Sequence, residues 1–263
     1  MSRRARRPQP LPLSRKGSYV ESSRRPLETL LFLLPLVLFY EWGLMAWLRS
    51  GDGTLINKAH GGIVGFFRLF GVRAEDLGLP ILSLPALGLV LTLLAWQVIG
   101  RFPWKVRAST LGGMFVESFA LAAPLLPVGM LLSSMESTLM APSTGSIQQM
   151  GLMQRAAMAA GAGVYEELAF RMVVMGGLHM LLSDVGGWRK PGAWVAAMVV
   201  SALLFAVYHP LRGADGGYQW WRFAFLVIGG VWFGTLYHWR GFGIAAGTHA
   251  AYDITALLLL WRS

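Results

Sequence analysis

The chain has 263 residues, 55% of them hydrophobic and only 14% charged, where ordinary globular domains carry about 25%. Several apolar runs approach 20 residues, which excludes a soluble domain and predicts an all-α polytopic membrane helix bundle. The net charge of +10 marks no nucleic-acid surface, because eight of the 23 Lys and Arg crowd into the first 25 residues. That Pro- and Arg-rich tail has the composition of a disordered cytoplasmic topology signal lying against anionic lipid. No cysteine is present, so disulfides, thiol nucleophiles, thiolate metal sites and lipid attachment to cysteine are excluded.

In chain order, residues 1–25 are the basic tail, with no signal-peptide cleavage pattern before a first apolar run long enough to span. The first span is predicted over about Thr29–Leu48, carrying Glu41. Residues 51–79 are ambiguous: their apolar middle, Ile63–Val72, is short and interrupted by Arg68, so an interfacial or re-entrant helix is expected. Spans follow over about Pro80–Gly100 and Leu111–Leu132, the latter carrying Glu117, and then a polar loop, Ser133–Ser146. The apolar stretch Met150–Leu182 would be about 50 Å long as one helix at 1.5 Å per residue. A bilayer core is about 30 Å thick, so this element must tilt, kink near Gly161 and Gly163, or project from the membrane. Three more spans are predicted over about Ala193–His209, ended by Pro210, then Trp220–Trp239 and Phe242–Trp261. The count is about seven transmembrane helices, eight if the ambiguous segment crosses.

Tryptophans at 188, 194, 220, 221, 239 and 261 stand where an interfacial aromatic belt would place them. Gly230-x-x-x-Gly234 and Gly243-x-x-x-Gly247 prepare close helix contacts. Lys and Arg favour an inside N-terminus, though Arg49, Lys58, Arg68 and Arg73 in the first outside loop weaken the bias. The division expected is a tail at 1–25, N-terminal transmembrane helices at 26–149 and a core at 150–263.

Three polar clusters interrupt the apolar helices of that core. In Val164-Tyr165-Glu166-Glu167-Leu168-Ala169-Phe170-Arg171, three formal charges lie within six residues. Each costs roughly 2.5–3.5 kcal/mol at membrane depth, which makes it a functional candidate by default. Glu167 and Arg171 are four apart on one helix face and can pair. Glu166 is turned about 100° away and needs a partner elsewhere. The second cluster is Phe205-Ala-Val-Tyr-His209, and the third is His249-Ala-Ala-Tyr-Asp253, whose end residues again share a face. One unpaired carboxylate, two imidazoles and one further acid suit water activation: Glu166 and His209 removing a proton, His249 and Asp253 stabilising an oxyanion.

These clusters, Glu166-Glu167-x-x-x-Arg171, Phe205-x-x-x-His209 and His249-x-x-x-Asp253, resemble the three-motif signature of the CPBP family. That family comprises CAAX-processing and bacteriocin-processing enzymes, also called ABI proteins, and includes the Ras-converting prenyl endopeptidase. The flanks agree: Ser201-Ala-Leu-Leu leads into Phe205, and Gly234-x-x-Tyr237 with Gly241-Phe-Gly-Ile leads toward His249. The resemblance covers about Met150–Leu260.

It implies a metal-independent intramembrane endopeptidase of the glutamate type, with no cofactor and a membrane-associated peptide or protein as substrate. The compact size and basic tail fit a multi-pass protein of a prokaryotic inner (cytoplasmic) membrane, partnered by the lipid bilayer, and the placement of the charge argues against nucleic acid. Glu166 would be the catalytic glutamate, His209 would share its water, and His249 with Asp253 would form the oxyanion pair. The last position is more often asparagine in prenyl-processing members, and an aspartate must be protonated to donate. Glu167 and Arg171 would be a structural pair or substrate contacts.

Three alternatives stand beside this reading. One is a non-catalytic immunity or peptide-binding member of the family, and another is a transporter or proton relay. The third is a zinc protease using Glu166, His209, His249 and Asp253 as ligands, although no His-Glu-x-x-His is present. Outside the motifs, Glu41 and Glu117 are expected to pack or pair, with Arg155 as a candidate partner. His179 is read as interfacial, His60 and His238 as surface or boundary residues, and the 13 methionines as core filling.

Overall fold

The computed structural model describes residues 18–46, 49–50, 53–54, 57–73, 84–135, 150–213 and 216–260. Residues 1–17 of the expected tail, most of the polar loop after Ser133, and Trp261 lie outside them. Residues 18–25, assigned to the tail from sequence, carry a helical turn, α1 (Tyr19–Ser22). The remaining helices are α2 (Pro26–Ala46), α3 (Lys58–Leu69), α4 (Leu84–Ile99), α5 (Ala108–Ala122) and α6 (Leu125–Met135). After them come α7 (Leu152–Val185), α8 (Lys190–Tyr208), α9 (Trp220–Arg240) and α10 (Phe242–Leu260). A two-residue antiparallel hairpin, Arg49–Ser50 with Gly53–Thr54, links α2 toward α3.

The fold is an all-α membrane bundle. Five stretches among the described residues are long and apolar enough to cross a bilayer: α2, Ala108–Leu131, α7, α8 and Phe242–Leu259. Of the other two expected spans, α4 is apolar but has 16 residues, and α9 has 21 residues but is not among those five. Large apolar side chains such as Phe115, Val116, Val173, Val195 and Val207 remain exposed, as a lipid-facing surface requires.

The centre of the bundle is α10. Of its apolar window 67% is buried inside the protein, against 22% for α7 and 33% for α8, so α10 is the post on which the others lean. It packs against α7, α5, α9 and α2, and small residues let them approach. A Cβ added at Gly163 of α7 would stand 2.5 Å from the Ala250 backbone nitrogen, so only glycine permits this crossing. The two small-residue pairs behave alike: Gly230 lies against Ala202, Gly234 against Met198, and Gly243 and Gly247 against Thr29 and Phe32.

Of the three ways left open for this long element, a kink at Gly161 and Gly163 is not the one adopted: α7 is regular through both, and Gly161 is spent on contact with the Tyr40 ring. The irregularity comes later, where Leu168–Met175 and again Leu181–Val185 adopt the wider i→i+5 turn of a π-helix.

Both acidic residues that the sequence places in spans outside the motifs have partners. Glu117 forms an ion pair with Arg240 and accepts from the Tyr19 hydroxyl, which fastens α1 to α5 and α9. Burial pushes the Tyr19 phenol up, so it remains a donor. Glu41 accepts from the Tyr165 hydroxyl at 2.7 Å. His60, read from sequence as a surface or boundary residue, is instead only 4% exposed. Its ring packs on Tyr40 and Tyr165 because α3 folds back onto α7.

Candidate active site

The regular part of α7 ends with two adjacent carboxylates, and the helical twist sends them to different neighbours. Glu166, 5% exposed, faces the start of α3 and the end of α8. Its Oε1 accepts from Asn57 Nδ2 at 3.0 Å, and its Oε2 lies 3.5 Å from His209 Nε2. Glu167, wholly buried, faces α10 and its own next turn. Its Oε1 accepts from His249 Nδ1 at 2.8 Å, and its Oε2 lies 3.1 Å from Arg171 Nε. The latter contact is an ion pair rather than an aligned hydrogen bond.

His209 owes its geometry to the end of a helix. Pro210 follows it, and the residue before a proline is pushed out of helical conformation; His209 accordingly has ψ 155°. Its backbone N–H then donates to Ala206 O, leaving the Phe205 carbonyl among the unpaired acceptors of a helix C-terminus. The imidazole takes it up, with Nδ1 at 2.8 Å from Phe205 O. A carbonyl only accepts, so Nδ1 carries the proton and Nε2 is the nitrogen presented to Glu166. The side chain is 20% exposed, so the site opens at this residue.

His249 is held with comparable stringency. A carboxylate also only accepts, so Nδ1–H points at Glu167 and Nε2 points toward Asp253 Oδ2, 3.5 Å away. The ring stacks on Phe233, with centroids 4.5 Å apart and planes 12° from parallel. Phe205 sits between the two histidines, with ring centroids 4.6 Å from His209 and 5.9 Å from His249. Behind it the Arg171 guanidinium lies 4.5 Å from the Phe205 ring centroid and donates to the Gly230 carbonyl at 3.2 Å.

The seven motif residues thus fall on α7, the C-terminal end of α8 and α10, with His209, His249 and Arg171 next to the Phe205 ring. From sequence Glu167 and Arg171 are a structural pair or substrate contacts; the structure pairs them and adds His249 as a second partner of Glu167. Sequence reasoning missed Asn57 altogether, although an asparagine directly before a helix is an N-cap signal. Among the described residues no three His, Asp or Glu side chains converge as a metal-holding group. Glu166 Oε2 is the chemically conspicuous atom: it is buried and faces an imidazole nitrogen 3.5 Å away, a carboxylate–imidazole pair of the kind that can take a proton from water.

Residues 148–255 match the family model for Rce1-like type II CAAX prenyl endopeptidases. The match spans somewhat under half of the chain and contains all seven motif residues, but not Asn57. No curated protein and no solved structure matches the chain.

Proposed function

Taking residues 148–255 as an Rce1-like segment of a prenyl endopeptidase family, we propose that this membrane protein hydrolyses a peptide bond without metal, through a glutamate-activated water. The observation that carries the reading is the buried Oε2 of Glu166 set 3.5 Å from His209 Nε2. A water within hydrogen-bond reach of both atoms loses its proton to them as its oxygen attacks the scissile carbonyl. Phe205 O fixes the His209 tautomer, and Asn57 occupies the other oxygen of Glu166.

The attacked carbonyl then becomes an oxyanion. With Nδ1–H of His249 held by Glu167, a proton on Nε2 makes that edge a donor toward the oxyanion, and Asp253 joins it when protonated. The proton taken from water passes to the leaving amine, completing hydrolysis with no cofactor.

The substrate is a peptide or protein associated with the bilayer, met at the partly exposed His209, and the setting is a prokaryotic inner membrane. The test uses purified protein in phospholipid vesicles with two fluorogenic peptides, one carrying a prenylated C-terminal cysteine and one anchored by an apolar segment. His209→Ala should lower turnover by about 10²–10⁴-fold, and a strong chelator should leave wild-type turnover unchanged. Stoichiometric zinc with chelator-sensitive cleavage would overturn the metal-free mechanism.

A further inference from the structure

We infer that Asn57, which lies outside the matched segment, is the positioning residue that selects which oxygen of Glu166 does the chemistry. The inference rests on the reading of Glu166 as the base. Asn57 is 6% exposed and is the N-cap of α3. Its Oδ1 accepts from the backbone N–H of Ala59 at 2.8 Å and of His60 at 3.3 Å. Its own backbone N–H donates to the Tyr40 hydroxyl at 2.9 Å. With Oδ1 committed to two donors the amide can face only one way, so Nδ2 is the group turned on Glu166.

A carboxylate held at Oε1 has one oxygen left, and that oxygen faces His209. The anchor is itself braced: the Tyr40, His60 and Tyr165 rings meet at centroid distances of 5.1–5.5 Å, and Tyr165 is the neighbour of Glu166 in α7. Lys58, next in the chain, ties α3 to the end of α8 by donating to Tyr208 O at 2.7 Å. The start of α3 therefore touches both members of the water-activating pair or their immediate neighbours, from a part of the chain that carries none of the three motifs.

Two substitutions separate positioning from capping. Asn57→Ser keeps a good helix cap but has no group long enough to replace Nδ2. Asn57→Asp keeps an acceptor for both backbone N–H donors of the cap and sets a carboxylate against Glu166, and like charges so close resist joint ionisation. The wild type, both variants and Glu166→Gln are compared on the peptide that the wild type cleaves, with kcat and KM measured across pH and thermal unfolding followed in parallel.

Asn57→Ser should lose kcat by about 10- to 100-fold with KM nearly unchanged, the expected cost of a displaced reacting group. In Asn57→Asp the base keeps its proton to higher pH, so the acidic limb of the kcat profile should move upward by about one unit. Should Asn57→Asp fail to fold, the kcat of Asn57→Ser decides. Activity that falls only with the folded fraction, on an unmoved pH profile, would reduce Asn57 to a helix cap and leave the role of Glu166 intact. Full turnover in Glu166→Gln would remove the base itself, and this inference with it.

Discussion

Glu166→Gln is expected to abolish peptide cleavage while leaving the bundle folded. The substitution is isosteric, and its amide oxygen still accepts from Asn57 Nδ2, so the 3.0 Å contact that holds the side chain survives. What disappears is the carboxylate oxygen that faces His209, the group that would take a proton from water. General-base catalysis is worth about 10²–10⁴-fold, and turnover should fall by at least that much. Size-exclusion behaviour and thermal unfolding should match the wild type, because a neutral side chain costs less to bury than an ionised one. Cleavage at the wild-type rate by a folded Glu166→Gln protein would sink the protease mechanism.

Arg171→Met should be the most destabilising of the substitutions considered. The guanidinium is fully buried, against Glu167 at 3.1 Å, the Phe205 ring at 4.5 Å and the Gly230 carbonyl. Removing it leaves the buried Glu167 carboxyl with His249 as its remaining partner, and breaking a buried pair in this way costs about 3–5 kcal/mol. Replacing both partners, Glu167→Leu with Arg171→Met, should recover much of that loss, since apolar residues of similar volume fill such sites well. Activity should not return, because His249 Nδ1 has lost the acceptor that orients the ring. Thermal unfolding and cleavage assays on both variants separate the two effects. A double variant that regained cleavage would show that Glu167 serves packing alone.

The contrast between those variants also shows what the sequence could and could not disclose. The i,i+4 spacings of Glu167 with Arg171 and of His249 with Asp253 follow from helix geometry, and the structure places both pairs together. The opposed directions of Glu166 and Glu167 were likewise legible, from the 100° step between neighbours. The link from Glu167 to His249 joins residues 82 positions apart, and no local periodicity encodes it. Asn57 was hidden for the same reason: 109 positions separate it from Glu166, and the helix it caps looked merely interfacial. His60 was misread because a short, charge-interrupted helix carries no sign that another helix will cover it. The π-helical turns escaped notice because i→i+5 bonding is imposed by packing and not by residue preference. The glycines offered as one possible kink instead serve close contact.

That wide turn makes α7 forgiving of changes in length on one side only. A π-helical stretch stores one residue more than an α-helix of the same span would hold. A deletion between residues 172 and 175 can be absorbed by relaxation to ordinary helix, turning only the distal half of the rod, where His179 stacks on Trp194. The same deletion before Glu166 has no slack to draw on, and would swing both carboxylates through about 100° away from their partners. Drift in the length of this helix among relatives should therefore collect beyond Arg171, with the stretch from Gly161 to Arg171 kept in register.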